Sequence, residues 1–541
     1  MLRLRSAFVV LSLLAFCAFG AVTALGAARV SGSTLRVAVD AEDVDQSDPA
    51  VAFIVLSEQI DNEECEPLVG YSDATGSVSS SLSPLGAADM PVISNDGRTY
   101  TFTLRSGMQF SNGDPITAAN YKFAFDRDAL SGLYSPASTF VAGFIKGWSE
   151  ENKSADESIT SVSGVTASSP DTLTIALKKP DPLLLSKLAL PFFCPIDQAA
   201  PFWDGTTWAD QPVEGPWPGS GPYYLSDRVP GAQMTLKKNT FYNGTQAATS
   251  DTIVIDMNLS SKQAYDGIAK GKYAVDLRGN PEPGENKALA QEFGVNQSRF
   301  WVFPRLSTTY LWMDERGPFR SLRLRQAFNY VLDRPAFVKA GGYLSGTPTV
   351  QVVPTELTGG VASVAPYPTT TPGPQQIALA RKLSHNCRAS QKRPFFLGYP
   401  AGALGAREAH VVIGDLRKMG CRVFASGGPG DLTIAGWIAD FPDGYDFLRP
   451  LLDGRTGLTG YDYSHFHNAL FNWKLDQANL LADPDERAKA FGKLDGWVMK
   501  AYAPLAPAEE RNFLDFLSAN AHGYVFNGPF ASVDLGYLYQ S

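Results

Sequence analysis

The chain of 541 residues has few of the side chains that most often carry enzyme chemistry. It contains only five histidines, and the motifs GxSxG, HExxH and CxxC are absent. These motifs provide a serine nucleophile, a zinc site and a redox or metal-binding cysteine pair, respectively. One residue separates His465 from His467, so both imidazoles could lie on one face of a strand. Two possible zinc ligands without a third are, however, a weak indication of a metal site. We therefore predict no enzyme activity, no metal and no cofactor.

Positive charge is also scarce. Lysine and arginine total 46 against 55 acidic residues, which gives a net charge of −9, and no basic cluster is present. An acidic chain without a basic patch is a poor nucleic-acid binder, so we expect no such partner. The apolar and charged fractions, 44% and 19%, are those of an ordinary globular protein. At this length we expect roughly two to four domains rather than one core.

Only one long apolar run occurs, and it lies at the N-terminus. An uncharged segment of 22 residues, 7–28, follows two arginines and is typical of a secretory signal cleaved after Ala24 or Ala28. The alternative is an uncleaved anchor, because this length just spans a bilayer. Lipidation of Cys17 is a further alternative, although Phe16 stands where lipoproteins carry a small residue. Each alternative predicts export to the periplasm or to the outer face of the cytoplasmic membrane.

Four cysteines remain beyond the signal segment, and an even number in an exported chain favours disulfides. Cys387 and Cys421 each precede a strand-like run, with a helical stretch between the two runs. In a β-α-β unit those strands are parallel neighbours, so the residues before them can lie within bonding distance. We favour a Cys387–Cys421 bond, and Cys65–Cys194 follows by elimination.

Residues 95–118 are the most informative stretch of the chain. A turn signal at Asp96-Gly97 is followed by Tyr100, Phe102 and Leu104, which alternate with threonines. This pattern predicts a half-buried strand, and Thr117 is a candidate helix cap. The stretch closely resembles a signature of the peptide/nickel/opine family (family 5) of extracytoplasmic solute-binding proteins, which deliver ligands to ABC importers.

Other segments resemble phrases of the same family, and they occur in the family's order. The resemblance covers about residues 35–541, and its collinearity is more specific than any single phrase. The matching segments are 66–71, 219–223, 319–334, 436–443 and 483–500.

The resemblance implies an α/β fold of the two-lobed periplasmic-binding-protein type (type II, cluster C), with an extra subdomain in the first lobe. It divides the chain into a signal or anchor at 1–28, a first lobe at 29–275, a second lobe at 276–504 and a C-terminal return to the first lobe at 505–541. The two crossings, near 274–279 and 505–508, are expected to form the hinge.

The resemblance also implies a ligand site in segment 436–443. In peptide-binding members the aspartate of this motif accepts the free α-ammonium group of the ligand, a role that falls here on Asp440. Trp437 would form a wall of the site, Phe441 replaces the commoner tyrosine, and Asp443 completes the expected ligand-binding set. The alternative is a solvated loop carboxylate beside a packed tryptophan.

The expected function is capture of a ligand by closure of two lobes, followed by delivery to an ABC permease. Peptides are favoured because Trp437 and Asp440 suit an ammonium group, but sugars and opines stay open. We expect a monomer. A rival interpretation is an exported regulator or structural partner on the same scaffold, and a third is a secreted hydrolase that would turn over a bound peptide.

Overall fold

The computed structural model describes residues 33–40, 43–71, 81–130, 132–148, 161–199, 202, 212–279, 281, 284–455, 461–530 and 532–541. The expected signal or anchor at 1–28, with Cys17, lies outside these residues. Within the described ranges, no helix combines the length and apolar character needed to cross a membrane.

Strands and helices alternate along most of the described chain. The strands are β1 Thr34–Asp40, β2 Val69–Tyr71, β3 Leu82–Pro84, β4 Val92–Ile93, β5 Thr99–Thr103, β6 Val165–Ser169, β7 Thr172–Ala176, β8 Tyr223–Val229, β9 Gln233–Lys238, β10 Thr252–Leu259, β11 Phe300–Met313, β12 Gly346–Pro348, β13 Phe395–Gly398, β14 Val423–Ala425, β15 Leu432–Ile438, β16 Leu505–Phe516, β17 Ala521–His522, β18 Phe526–Asn527, β19 Ser532–Val533 and β20 Tyr539–Gln540. The α-helices are α1 Val55–Glu64, α2 Ala118–Asp128, α3 Ala137–Val141, α4 Leu184–Leu188, α5 Ser261–Ala269, α6 Asn286–Phe293, α7 Leu322–Val331, α8 Arg334–Gly341, α9 Pro374–Leu383, α10 Arg388–Lys392, α11 Ala403–Lys418, α12 Tyr445–Leu452, α13 Ala469–Asn479 and α14 Pro484–Ala501.

One lobe is built on a four-stranded sheet with the strand order β1-β10-β9-β8. β1 and β10 are parallel, with Leu35 opposite Ile253, and the other pairs are antiparallel. The apolar residues of β1 pack in one core with Leu56 and Ile60, which lie four residues apart on α1. This spacing places both side chains on the same helix face, so α1 is held against the sheet.

A small antiparallel sheet, β4-β5-β7-β6, forms the extra subdomain. Tyr100, Phe102 and Leu104 are buried on one face, as the alternation predicted. Thr117 precedes α2, and its backbone N–H donates to Asn120 Oδ1 at 2.9 Å. The predicted helix therefore begins where its capping residue indicated.

The second lobe is built on a six-stranded sheet with the order β12-β16-β11-β15-β13-β14. β13 is parallel to both β14 and β15, whereas the remaining pairs are antiparallel. Helix α7 covers this sheet with the stripe that the sequence predicted, and Ser321 Oγ accepts the Leu324 N–H at 3.4 Å at its N-terminus. The buried stripe consists of Leu324, Ala327, Phe328 and Val331.

Two long strands link the lobes. β11 and β16 pair antiparallel from Phe300 opposite Phe516 to Trp312 opposite Leu505. Ala506 packs in the core of the six-stranded sheet, whereas Phe513 packs in the core of the four-stranded sheet. β16 therefore begins in one lobe and ends in the other, and the division of the chain at residues 275 and 504 stays a prediction.

Segment 274–279, the first of the two chain crossings between the lobes, also contacts β16. Gly279 has a φ of +58°, and its carbonyl accepts the Leu514 N–H at 3.1 Å. A Cβ atom at this position would lie 2.2 Å from the Phe513 ring. Only glycine permits both this backbone conformation and this approach, so segment 274–279 is fixed directly to β16.

Both expected disulfides are confirmed. The Cα atoms are 5.5 Å apart in Cys65–Cys194 and 4.9 Å apart in Cys387–Cys421. β13 and β14 follow Cys387 and Cys421 and are parallel neighbours, which is the arrangement that predicted the second bond.

The carboxylate of Glu64 is buried at the C-terminal end of α1. Burial raises the pKa of Glu64 to about 8, although the Leu225 N–H donates to its carboxylate at 3.3 Å. The folded protein thus keeps a proton that the unfolded chain releases above pH about 4.3. Its stabilising contribution is complete below that pH and is lost as the pH rises through about 8.

We expect the urea midpoint of the wild type to fall between pH 5 and pH 8, and the fall to be smaller in Glu64→Gln. The exposed Glu292→Gln serves as the matched control and is expected to keep the wild-type slope. If the urea midpoint changed with pH by the same amount in the wild type and in Glu64→Gln, the raised pKa of Glu64 would be contradicted.

Candidate functional site

Segment 436–443 begins at the end of β15 and leads into α12. Trp437 lies opposite Thr308 of β11, and the Ala439 N–H donates to the Leu306 carbonyl at 2.8 Å. Asp446, in the first turn of α12, accepts the backbone N–H of Asp440 at 2.8 Å and Trp437 Nε1–H at 3.4 Å. A carboxylate at a helix N-terminus, where acidic groups are favoured, thus holds the predicted site segment in place.

A cavity of about 320 Å³ separates this segment from the first lobe. The structure brings Trp437 and Asp440 to its wall, together with residues of other elements. It is lined by Phe53, Ile54, Val55, Leu56, Glu58, Leu277, Arg278, Arg305, Gly436, Trp437, Ile438, Ala439 and Asp440. The cavity therefore lies between the lobes, as expected of a ligand cleft.

Asp440 and Glu58 are buried carboxyl groups that line this cavity from different elements, the segment that follows β15 and the first turn of α1. Their side chains are 7% and 8% exposed, and Asp440 Oδ2 and Glu58 Oε1 have no hydrogen-bond partner among the described residues. Burying a polar group without a partner is unfavourable, and more so when the group is charged. The cavity wall therefore carries acceptor atoms that the described protein groups leave unsatisfied.

The electrostatics of the site are dominated by neighbouring acids. Burial raises the pKa of Asp440 well above its usual range, and Asp446 and Glu58 raise it further. Burial also raises the pKa of Glu58, with additional contributions from Asp446 and Asp45. The pKa of Asp446 rises to about 7 through burial, and the hydrogen bonds that it accepts from Asp440 limit the rise. The ionised form of Asp440 is therefore disfavoured in this arrangement.

Aromatic side chains from both lobes meet beside the cavity. The ring centroids of Phe53 and Tyr461 are 5.9 Å apart, and those of Trp437 and Tyr461 are 4.9 Å apart. Phe441 is buried against Phe140 of the extra subdomain, with the ring centroids 6.1 Å apart, and it does not line the cavity. Phe441 thus contributes to the contact between the lobes next to the cavity. That Phe441 contacts a ligand directly stays a prediction.

Asp443 makes an internal ion pair. Arg487 Nε donates to Asp443 Oδ2 at 2.8 Å, the Tyr445 N–H donates to Oδ1 at 2.9 Å, and both charged side chains are buried. Asp443 therefore holds the site segment against α14, and it is not among the residues that line the cavity. Its expected role in ligand binding stays a prediction.

Several cavity residues were missed by the sequence interpretation. Glu58, Asp61 and Glu64 recur at intervals of three along α1, and all three are buried. Acidic residues are seldom buried, so their regular recurrence on α1 was the feature of the sequence that could have indicated Glu58 as a functional residue. Arg278 and Arg305 gave no comparable signal, because they reach the cavity only through the chain crossings.

The two histidines raised by the sequence do not form a metal site. His465 Nδ1 lies 3.3 Å from Asp314 Oδ1. Within the described ranges, no group of three or more His, Cys, Asp or Glu side chains is placed to hold a metal ion. That the protein works without a metal or cofactor stays a prediction.

Residues 81–458 match the sequence profile of bacterial extracellular solute-binding proteins, family 5. The chain belongs to this family. Family 5 proteins are two-lobed binding proteins that bind ligands and work with ABC permeases, so the family expectation from the sequence is confirmed.

Individual relatives are distant but cover most of the chain. The probable deoxycholate-binding periplasmic protein YgiS of Escherichia coli is 24% identical over 81% of this chain and 82% of its own length. The oligopeptide-binding protein OppA of Bacillus subtilis is 24% identical over 78% of each chain. The structure of Haemophilus influenzae OppA in complex with the peptide RPPGFSPFR has a TM-score of 0.78 at 20% identity, covering 95% of this chain and 100% of that chain.

The contacts of Asp443 and Asp440 predict that substitution of Asp443 lowers the free energy of unfolding of this family 5 protein, whereas substitution of Asp440 does not. Asp443→Ala leaves the buried guanidinium of Arg487 without its counter-charge, so we expect a loss of about 3–5 kcal/mol in the free energy of unfolding. Asp440→Asn removes a carboxyl with no cationic partner, and we expect no loss. Urea unfolding of both variants at pH 7 tests this contrast, and equal midpoints would contradict it.

Proposed function

We propose that this protein captures short peptides outside the cytoplasmic membrane and delivers them to an ABC permease. The observation that supports this most directly is the position of Asp440 on the cavity between the lobes, beside Trp437, with Oδ2 unsatisfied. A peptide's α-ammonium group is a hydrogen-bond donor that would satisfy this oxygen and neutralise the carboxylate. A ligand without such a group would leave Asp440 unpaired.

The proposed mechanism is closure of the two lobes around the ligand. Contacts between the lobes include Phe140 with Phe441, and Arg449 Nη1, which donates to the Thr139 carbonyl at 2.5 Å. A ligand that contacts both walls favours the closed arrangement in proportion to the contacts that exist only there. The proposed hinge comprises segments 274–279 and 505–508; the first contacts β16 near Leu514, and the second is the beginning of β16.

Proton exchange is part of this mechanism. Burial raises the pKa of Asp440 and disfavours its ionised form, and the neighbouring acids Asp446 and Glu58 disfavour it further, so Asp440 favours a bound proton when no ligand is present. An ammonium group next to Asp440 reverses this preference, so the ligand replaces the proton. Because the raised pKa of Asp440 favours its protonated form at lower pH, the affinity for a ligand ammonium group should increase as the pH rises.

The curated relatives support peptides as the ligand class. Among them are oligopeptide-, dipeptide-, murein peptide- and glutathione-binding proteins, although one is named for deoxycholate. Two of them are named periplasmic, and we propose the same compartment for this chain, with segment 1–28 as its export signal or anchor. We further propose that it acts as a monomer, without catalysis and without nucleic acid.

The test is calorimetry with trialanine and N-acetyl-trialanine on the wild type and on Asp440→Asn. We expect Asp440→Asn to weaken trialanine binding by about 3–5 kcal/mol, because the ligand's ammonium loses its buried counter-charge. Binding of the acetylated peptide, which lacks the ammonium group, should change little.

Equal weakening of both peptides would show that Asp440 is not the ammonium partner. Failure of the wild type to bind any peptide would favour a regulator or structural partner on this scaffold. Cleavage of trialanine, detected by mass spectrometry, would instead indicate a hydrolase.

A further inference from the structure

The cavity contains a second acidic group that a single ammonium does not account for. Glu58 lies in the first turn of α1, lines the same cavity as segment 436–440, and is nine-tenths buried. Its Oε1 has no hydrogen-bond partner within the described ranges. Asp440 carries a similarly unsatisfied oxygen, so two separate acceptors face one cavity from the two lobes.

The surroundings of Glu58 intensify the negative charge. Asp446 and Asp45 are the charged groups that act most strongly on its carboxyl, and both raise its pKa. Asp45 is itself held by Ser57, whose hydroxyl donates to its carboxylate at 2.6 Å, and by the Phe53 N–H at 3.1 Å. One ammonium at Asp440 would thus leave Glu58 buried beside other acids, which is unfavourable.

Positive groups also line the cavity, but each already has an interaction. Arg278 Nε lies 3.5 Å from Asp40 Oδ1, and the Arg305 guanidinium lies 5.5 Å from the centre of the Phe513 ring. They flank the chain crossings, where a peptide's terminal carboxylate would find an opposite charge. The unsatisfied acceptors of the cavity are therefore those of the two acids.

We propose that the site selects ligands that carry two cationic groups a few bonds apart, one bound by Asp440 and the other by Glu58. This inference rests on the proposed function of Asp440 and adds a ligand class to it. A compact metal ion does not fit, because the described acids are not grouped around one point. A peptide whose first residue is lysine, ornithine or arginine has the required chemistry, and so has a free linear diamine.

Calorimetry with two matched tripeptides tests the proposal. Lys-Ala-Ala and norleucyl-Ala-Ala have first side chains of similar length and differ in the side-chain ammonium. We expect the wild type to bind the lysyl peptide about tenfold tighter or more, since a close pair of desolvated charges contributes over about 1.4 kcal/mol. In Glu58→Gln this ratio should fall to about one, because the side-chain ammonium of the lysyl peptide loses its counter-charge.

Asp61→Asn is the matched control, because Asp61 is a buried acid on the same helix that does not line the cavity. It should retain the wild-type ratio. A urea midpoint for Glu58→Gln at or above that of the wild type excludes misfolding as the cause of any lost preference.

A wild-type ratio near one, or an unchanged ratio in Glu58→Gln, would overturn the proposal while leaving peptide capture intact. Failure of both peptides to bind the wild type would overturn the proposed function as well. Competition by 1,5-diaminopentane that depends on Glu58 supports the dicationic site and identifies free diamines as ligands. Lack of competition, with the peptide ratio as expected, assigns the site to basic peptides.

Discussion

The pairing of β11 with β16 is the constraint on which the arrangement of the two lobes depends. These strands share the six-stranded sheet at one end and pack against the core of the four-stranded sheet at the other. Their pairing is interrupted between Pro304 and Thr308, where the register shifts. A bulge increases local twist and weakens the hydrogen-bonded ladder, so bending is easiest there. Arg305 lies in this interruption and also lines the cavity.

Closure of the lobes brings like charges together. Asp440 and Asp446 belong to one lobe and Glu58 to the other, and burial is the largest cause of the raised pKa of each. In an open cleft water would solvate these groups, so ionisation would then be favoured. An empty closed cleft therefore favours bound protons on these groups, and under the proposed function ligand cations would replace them. Negative charge on both walls thus opposes closure without a suitable ligand.

The sequence predicted most of the fold for identifiable physical reasons. The stripe on α7, the alternation in β5 and the cap at Thr117 are local patterns, and each was found in the structure. The disulfide Cys387–Cys421 followed from the expected parallel neighbours β13 and β14. These features depend on residues close in sequence or on one repeated unit, which a single sequence displays.

The composition of the cavity wall was harder to predict. Trp437 and Asp440 were placed by a family motif, and the structure brings both to the cavity. Glu58, Arg278 and Arg305 come from distant parts of the chain and meet only through packing of the lobes. The same holds for the pairing of Asp443 with Arg487, because nothing in segment 436–443 indicates a partner on α14. Solvation of a charged residue cannot be read from its neighbours in sequence.

The bond between Cys65 and Cys194 has a consequence for maturation. It joins the residue that follows α1 to the end of the extra subdomain, across a sequence separation of 129 residues. The helix that presents Glu58 to the cavity is therefore positioned by a covalent link to a distant part of the first lobe. Because disulfides persist in oxidising compartments and are rare in a reducing cytoplasm, this covalent constraint on α1 is expected to arise only after thiol oxidation.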